Sequence, residues 1–494
     1  MLAYCPTSGV LAVGLSHEVY LWTDDLGVNS PPFRTQPRPN YVRSLSFSSE
    51  DGGKGILAVA QHNGELVLWS TFDAGPRFEI AHPAGLSCVA FKPTTVRRPS
   101  AKTPGVEVDM EDLAVGDILG DLWYYSIEWS GVNQYDRLYG SIVLLARISA
   151  HADQICGLSW SPDSSFLATG GDDNSCLLFE LDKVIPSVYH REMKDGYVSS
   201  RTSSSSAASH GRLFHRPSML SQLLPFRPLG DDKMPQPKTL RLSACSILRR
   251  GRAAVISRGN EKHRLLHSAA VKAMAFAPWQ PSLFATGGGA NDHSIHFYHA
   301  QSGTCLATIN VYAQVTGLIF STTRPEIVAT FGYAQPEHSI RIAVFAWPSC
   351  AQVAAIPWGP HGSSVGDQVG NLDTNVDCGR ALCAISLPGS CPYQWVAPDE
   401  REAQKLTKRG PHRRKTGLHP AVRPKEKEGG LWCSRTLGEG CIIVASSDQT
   451  VKFHEVWSGP RKSKTAATAS GLLGGSGILE AMEGIENPGN EIIR

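Results

Sequence analysis

One unit recurs along the chain, and its spacing constrains the fold more than any other feature. The unit is a meander of three short strands and two tight turns. Its best-preserved copy runs from His151 to Phe179, HADQICGLSWSPDSSFLATGGDDNSCLLF. From Ile155 to Trp160, Cys156, Leu158 and Trp160 fall on one face, as period-two alternation requires of a strand. Ser161-Pro162-Asp163-Ser164 is a turn, because Pro162 presets φ and Ser and Asp favour the corners. Phe166 to Thr169 and Cys176 to Phe179 are the next two strands, with a turn over Gly170 to Asn174. Such a meander cannot bury both of its faces alone.

The first strand of each copy ends at Tyr4, Phe47, Phe91, Trp160, Phe276, Phe320 and Leu387, in steps of 43, 44, 69, 116, 44 and 67 residues. The three short steps match the roughly 40–45 residues of a four-stranded propeller blade. The pattern predicts an all-β chain, a seven-bladed WD-repeat β-propeller over residues 1–457 followed by a flexible tail, 458–494. A β-sandwich of similar strand density has no reason to keep such a period. Asn63-Gly64 between two apolar runs is a strong hairpin signal inside the second copy. The long steps mark insertions at about 93–110, 183–264 and 398–430. Their Pro-, Ser- and charge-rich composition, including the tract Ser203 to Ser206, predicts disorder. Nothing ahead of the first inner strand can serve as an outer strand for the last blade, and the chain after Trp457 is Gly-rich. The expectation is an open or weakly closed seam between the first and seventh blades.

Composition narrows the function. The net charge of +2 gives no overall pull toward nucleic acid or membrane, and no apolar run is long enough to span a bilayer. The 12 cysteines form no CxxC pair, which fits reduced thiols better than a disulfide framework. Neither the histidines nor the cysteines show an HxxxH or Cys/His ligand spacing in a plausible context. No nucleophile elbow or phosphate loop occurs in its required setting, so neither a cofactor nor catalysis is expected.

The wording of the blades is more specific. Val10-Leu-Ala-Val-Gly-Leu with Val19-Tyr-Leu-Trp, Gln154-Ile-Cys-Gly-Leu-Ser-Trp-Ser-Pro-Asp, Ala270-Val-Lys-Ala-Met-Ala-Phe-Ala-Pro-Trp, Gly332-Tyr-Ala-Gln and Ser447-Asp-Gln-Thr-Val-Lys-Phe stand in the first, fourth, fifth, sixth and seventh copies. Together they resemble the Fizzy and Fizzy-related family, the WD-repeat activators of the anaphase-promoting complex. The long insertions and Phe453-His-Glu-Val-Trp look most like its fungal meiosis-specific branch. The resemblance implies a non-catalytic subunit that binds degrons on the propeller and presents their owners to the ubiquitin ligase. Its partners would be ligase subunits and degron-bearing cell-cycle proteins, in nucleus and cytoplasm. A propeller scaffold without ligase-activating capacity is the alternative.

The family positions for a lysine-glutamate-asparagine degron correspond to Asp172, Asn174, Gln314 and Arg380. A carboxylate there can hold the lysine, a guanidinium the glutamate, and the amides offer paired donors and acceptors. The plainer alternative is that Asp172 and Asn174 only shape a turn and Arg380 is a solvated charge. Ala290 stands where the family has threonine, and Ser16-His17 where it has Asp-Asn. The family's acidic positions for a destruction-box arginine correspond to Ala3 and Gln449, leaving Glu18 and Asp448 as local acids. Losing a charged hydrogen bond costs about 1.5–3 kcal/mol, so weak or altered destruction-box binding is expected. The terminal Ile493-Arg494 resembles the family's Ile-Arg tail, which docks on a helical-repeat ligase subunit. The family's second anchor, an Asp-Arg-Tyr/Phe-Ile-Pro motif ahead of the propeller, has no counterpart in these residues. Two expectations follow: a sequence starting downstream of that anchor, or a chain that does not fully activate the ligase. Lys408-Arg409 and Arg413 to Lys415 read equally as an import signal or a solvated loop.

Overall fold

The computed structural model describes residues 1–23, 27–28, 33–34, 40–48, 55–71, 73, 75–100, 103, 105–129, 140–185, 239–249, 253–322, 324–332, 340–357, 380–387, 440–447, 449–454, 456–457 and 491–493. The serine tract, the 398–430 insertion with its basic runs, Asp448 and Arg494 lie outside them.

Seven sheets, antiparallel among the strands of each blade, follow one another in chain order. Blade one is β1 (Leu2–Cys5), β2 (Val10–Leu15) and β3 (Glu18–Thr23), with β4 (Gly27–Val28) and β5 (Phe33–Arg34) both paired to β3. Blade two is β6 (Val42–Phe47), β7 (Ile56–Gln61), β8 (Glu65–Ser70) and β9 (Phe78–Ala81). Blade three is β10 (Leu86–Phe91), β12 (Glu107–Asp117), β13 (Asp121–Trp129) and β14 (Gly140–Ser149), with β11 (Val96–Pro99) on the extension of β12. Blade four joins β15 (Ile155–Trp160), β16 (Leu167–Gly171) and β17 (Ser175–Phe179) to the distant β20 (His263–Leu266). Blade five is β21 (Val271–Ala277), β22 (Gln280–Gly288), β23 (Ser294–His299) and β24 (Thr304–Asn310). Blade six is β25 (Val315–Phe320), β26 (Glu326–Phe331), β27 (Ile340–Ala346) and β28 (Gln352–Pro357). Blade seven is β29 (Ala381–Leu387), β30 (Cys441–Ser446), β31 (Val451–His454) and β32 (Glu491–Ile493). The chain is a seven-bladed β-propeller.

The core lies between blades, because each sheet is covered on both faces. All six residues of β7, and all six of β26, are buried. Such strands read as continuous apolar runs rather than alternating ones. An apolar cluster fills every junction of neighbouring blades. Val19 and Val59 lie between blades one and two, Leu68 and Trp123 between two and three, and Tyr124 and Leu177 between three and four. Leu178 and Phe284, Phe297 and Phe345, and Val344 and Val444 serve the next three junctions.

The seventh junction corrects one expectation. Leu2 and Leu11 of blade one pack with Ile443, Ala445 and Val451 of blade seven, and Trp22 meets Phe453 with ring centroids 5.9 Å apart. The seam between first and last blades is closed by the same apolar contact as the others. The outer strand of blade seven is β32, taken from the end of the chain, where Val451 pairs with Ile493. The Gly-rich composition of residues 458–490 hid the strand-forming Glu491-Ile492-Ile493 beyond it.

The insertions are not loop throughout. In the 93–110 insertion β11 pairs with the start of β12, Val96 opposite Met110. In the 183–264 insertion, β18 (Leu240–Ser243) adds in parallel to β9, and β19 (Ala254–Ile256) adds in parallel to β14. Between them α2 (Ala244–Arg249) buries Ala244 and lays Ile247 and Leu248 on the cluster between blades two and three. This strap covers the outer edges of two blades, which otherwise present unpaired backbone groups. Averaged composition concealed it, because its few apolar residues are diluted by a long polar segment. A further helix among the described residues, α1 (Leu181–Val184), follows blade four's third strand. No helix among the described residues is long and apolar enough to cross a membrane.

A polar network holds the extension of blade three. The fully buried Asp112 takes a two-pronged contact from Arg98, Nη1 to Oδ1 and Nη2 to Oδ2, the latter at 2.9 Å. The Tyr124 hydroxyl donates to the same carboxylate at 2.6 Å. Removing one partner of such a pair strands the other, which costs about 3–5 kcal/mol. Asp112→Ala is therefore expected to lower the unfolding free energy by about that amount. Urea titration of the variant against wild type checks it.

Candidate functional site

Strand direction alternates through each blade, so two connections share one end of every sheet. These are the turn from second to third strand and the loop that leads into the first strand. In five blades one backbone hydrogen bond ties them. His62 N–H donates to Tyr41 O, Ile118 to Gly85, Asp172 to Gln154, Gly332 to Gln314 and Ser447 to Arg380, at 2.9–3.0 Å. Asp172, Gln314 and Arg380 thus occupy positions of the same joint in blades four, six and seven. The turns at this end share a left-handed residue: Gly64 and Gly120 in blades two and three, and Asn174, His293 and Gln449 in blades four, five and seven. Asn174 has φ of 61°, a region that asparagine enters more readily than most residues. The candidate residues of three blades therefore face one side of the ring.

A cavity of about 420 Å³ opens on that side between blades four, five and six. Its lining includes Cys156, Asp172, Asn174, Lys272, Asn291 and Gln314. Three of the four residues expected to read a degron are thereby brought together. Asp172 and Asn174 are exposed, and the Asp172 carboxylate makes no hydrogen bond among the described residues. Lys272 stands across from it with Nζ 3.4 Å from Leu382 O. Glycines let the walls approach closely. A Cβ on Gly157 would meet Lys272 O at 2.4 Å, and one on Gly170 would meet Val271 O at 2.3 Å. Burial, and then the charge of Asp172, pushes the Cys156 thiol up to about 11. It stays protonated near neutrality and is no nucleophile. Arg380 is exposed and does not line the cavity. Its backbone is fixed, with its N–H donating to Ser447 Oγ at 2.8 Å. Gln314 connects the two regions: a Cβ on Gly332 would lie 2.8 Å from Gln314 Oε1 and 3.5 Å from Ala381 O.

At the other candidate groove, Tyr20 donates its hydroxyl to Glu18 Oε2, and His17 Nε2 lies 3.9 Å from Oε1. Glu18 is thus already engaged within its own blade. Gln449 is exposed at its turn, with its N–H on Ser446 O at 3.2 Å, and Ala3 is buried. Of the Ile-Arg tail, Ile493 is the last residue of β32.

Sequence reasoning missed the clasps beneath these loops. In blade four His151 Nδ1 meets Asp173 Oδ1 at 2.9 Å and Nε2 meets Thr169 Oγ1 at 2.8 Å. Ser175 Oγ and the Ala152 N–H also donate to Asp173. Burial alone would raise the Asp173 carboxyl, yet these hydrogen bonds hold it down to about 2. Asp172 and Asp173 are neighbours with opposite tasks, one open to the cavity and one locked in a clasp. In blade two His82 Nδ1 lies 3.2 Å from Gly64 O and Nε2 lies 2.8 Å from the Tyr125 hydroxyl. The signal was present: His82, His151 and His267 each precede a first strand by four residues.

The WD domain, G-beta repeat family matches residues 142–180. Meiotic fizzy-related protein 2 of Schizosaccharomyces pombe is 25% identical over 97% of this chain and 65% of its own length. The meiosis-specific APC/C activator protein AMA1 of Saccharomyces cerevisiae is 24% identical over 100% of this chain and 61% of its own length. The chain is related to the Fizzy and Fizzy-related proteins. It spans under two thirds of the length of these Fizzy-type relatives. In fold it is similar to a chain of a solved structure, "Crystal Structure of Mitotic Checkpoint Complex", with a TM-score of 0.51 and 20% identity over 92% of this chain and 90% of that one.

The buried His82 clasp in blade two makes stability pH-dependent. Burial lowers the His82 imidazole to about 4, against about 6.5 in an unfolded chain. The unfolded state then binds the proton first. Stability is full above pH 6.5, falls as pH drops, and the loss is complete below about 4. Its size is about 3 kcal/mol. Urea unfolding at pH 7 and pH 4 should show a drop smaller by that amount in His82→Gln than in wild type.

Proposed function

We propose that this chain is a non-catalytic substrate-recognition and activator subunit of the anaphase-promoting complex, acting in meiosis. One observation carries the reading: Asp172 and Asn174 of blade four and Gln314 at the entry to blade six line one cavity. A peptide lysine entering it meets the Asp172 carboxylate, and the amides of Asn174 and Gln314 take the polar groups that follow. Arg380, exposed at the start of blade seven, takes the peptide's acidic residue. Such an arrangement reads a short extended segment by its charge order and supplies no nucleophile or general base. Glu18 is held by Tyr20 and His17, so the destruction-box arginine finds weak support in the groove of blades one and seven. The APC/C activator name of one relative and the meiotic names of two support the choice of ligase and of meiosis.

A labelled lysine-glutamate-asparagine peptide tests the reading by fluorescence anisotropy. Binding is expected in wild type and should weaken roughly 10- to 100-fold in Asp172→Ala, the worth of one charged hydrogen bond. The exposed site should leave the unfolding free energy within about 0.5 kcal/mol of wild type. Equal binding by wild type and Asp172→Ala overturns the proposal.

Docking through the tail is part of the same proposal. Ile493 pairs with Val451 in β32, so docking either uses Arg494 beyond the strand or detaches three residues of it. Deleting Arg494 is expected to reduce co-purification with the ligase while leaving peptide anisotropy unchanged. Unaltered co-purification would sink the tail assignment alone.

A further inference from the structure

Blade five carries a side-chain constellation that the peptide reading does not use. His267 Nδ1 lies 2.9 Å from Asp292 Oδ2, and His296 Nε2 lies 3.2 Å from Oδ1 and 3.3 Å from Oδ2 of the same carboxylate. The three ligand atoms lie within 4.8 Å of one another. The His267 side chain is fully buried, Asp292 is 7% exposed and His296 is 19% exposed. Blade four shows what a clasp needs and what is additional here. Its Thr169 stands opposite Leu177 in the sheet, whereas Thr286 of blade five stands opposite His296. The histidine, threonine and aspartate recur in both blades. The second imidazole belongs to blade five.

We propose that His267, Asp292 and His296 form a binding site for a divalent transition-metal ion of the zinc class, with water in the remaining position. Two imidazoles and a carboxylate suit zinc, cobalt, nickel or copper, whereas calcium and magnesium take oxygen ligands. Ligands on a tetrahedral zinc, at about 2.0–2.1 Å from the ion, stand roughly 3.3 Å apart. The nitrogen-oxygen spacings observed differ from that by a few tenths of an ångström. The far nitrogen of each ring is also anchored: His267 Nε2 at 3.1 Å from Thr286 Oγ1, and His296 Nδ1 at 3.1 Å from Thr308 Oγ1. Outer partners of this kind orient the ring and present its other nitrogen to the ion. Gly288 leaves the space, since a Cβ there would meet Asp292 Oδ2 at 2.2 Å. Local pattern does not join the three, because His267 precedes β21 whereas Asp292 and His296 follow β22. Ser268 and Asn291, neighbours of two ligands, line the cavity. The ion would therefore tie two segments of its rim together. The site stands whether or not the cavity reads a degron.

The full chain, stripped with chelator, is titrated with Zn²⁺ or Co²⁺ alone. Wild type is expected to bind one ion more tightly than any other site on the chain, with the visible absorption of four-coordinate cobalt. His296→Leu, which installs the blade-four residue, should weaken this step by at least about 100-fold, more than loss of an outer-shell partner. Its chelator-treated form should melt as wild type does, and His296→Gln serves as a second variant. X-ray absorption of zinc-loaded wild type should find two imidazoles with oxygen and no sulfur, a result that needs no variant. Absence of a tight step, unchanged affinity in His296→Leu, or a sulfur shell overturns the site.

Discussion

Burial of each blade between two neighbours is the constraint on which the rest of the structure depends. A strand such as Ile56–Gln61, buried along its whole length, cannot be satisfied by its own sheet. Its apolar side chains point both ways and must meet other blades on both sides. The requirement passes from blade to blade until Leu2 and Leu11 meet Ile443 and Val451. Closure buries second strands such as Glu326–Phe331 between neighbours, and among the described residues the turns and loops at the two rims and outer strands such as Thr304–Asn310 face solvent.

Those rims are well fixed for loops. The repeated backbone bond, Asp172 to Gln154, Gly332 to Gln314 and Ser447 to Arg380, holds each turn against the neighbouring loop. Below it the clasps of His151 with Asp173 and of His267 with Asp292 tie the same two segments by side chains. Buried polar groups are costly unless they find partners, and here the partners are shared within one small network. The rim can therefore carry exposed charges such as Asp172 without relying on them for order.

The outer edges of the ring pose the opposite problem. They are the last strands of each blade, and their unpaired backbone invites other chains. Blades two and three solve it with the strap that carries Leu240–Ser243 and Ala254–Ile256, borrowed from an insertion in blade four. The strap adds no new core. It extends one that exists, placing Ile247 and Leu248 on the cluster between those blades.

The sequence by itself determined the number of blades, because a repeated period and aromatic strand ends survive without knowledge of contacts. The resemblance of its blades to the Fizzy family marked Asp172, Asn174, Gln314 and Arg380, position by position. Only the tertiary structure decided which of them share a cavity: Asp172, Asn174 and Gln314 do, and Arg380 does not. It alone separated Asp172 from Asp173, adjacent carboxylates whose fates depend on a histidine about 20 residues away in the chain. The closed seam, the strap and the meeting of His267 with His296 were hidden for the same physical reason. Each joins residues distant in sequence, and local propensity carries no record of a partner that the ring brings near.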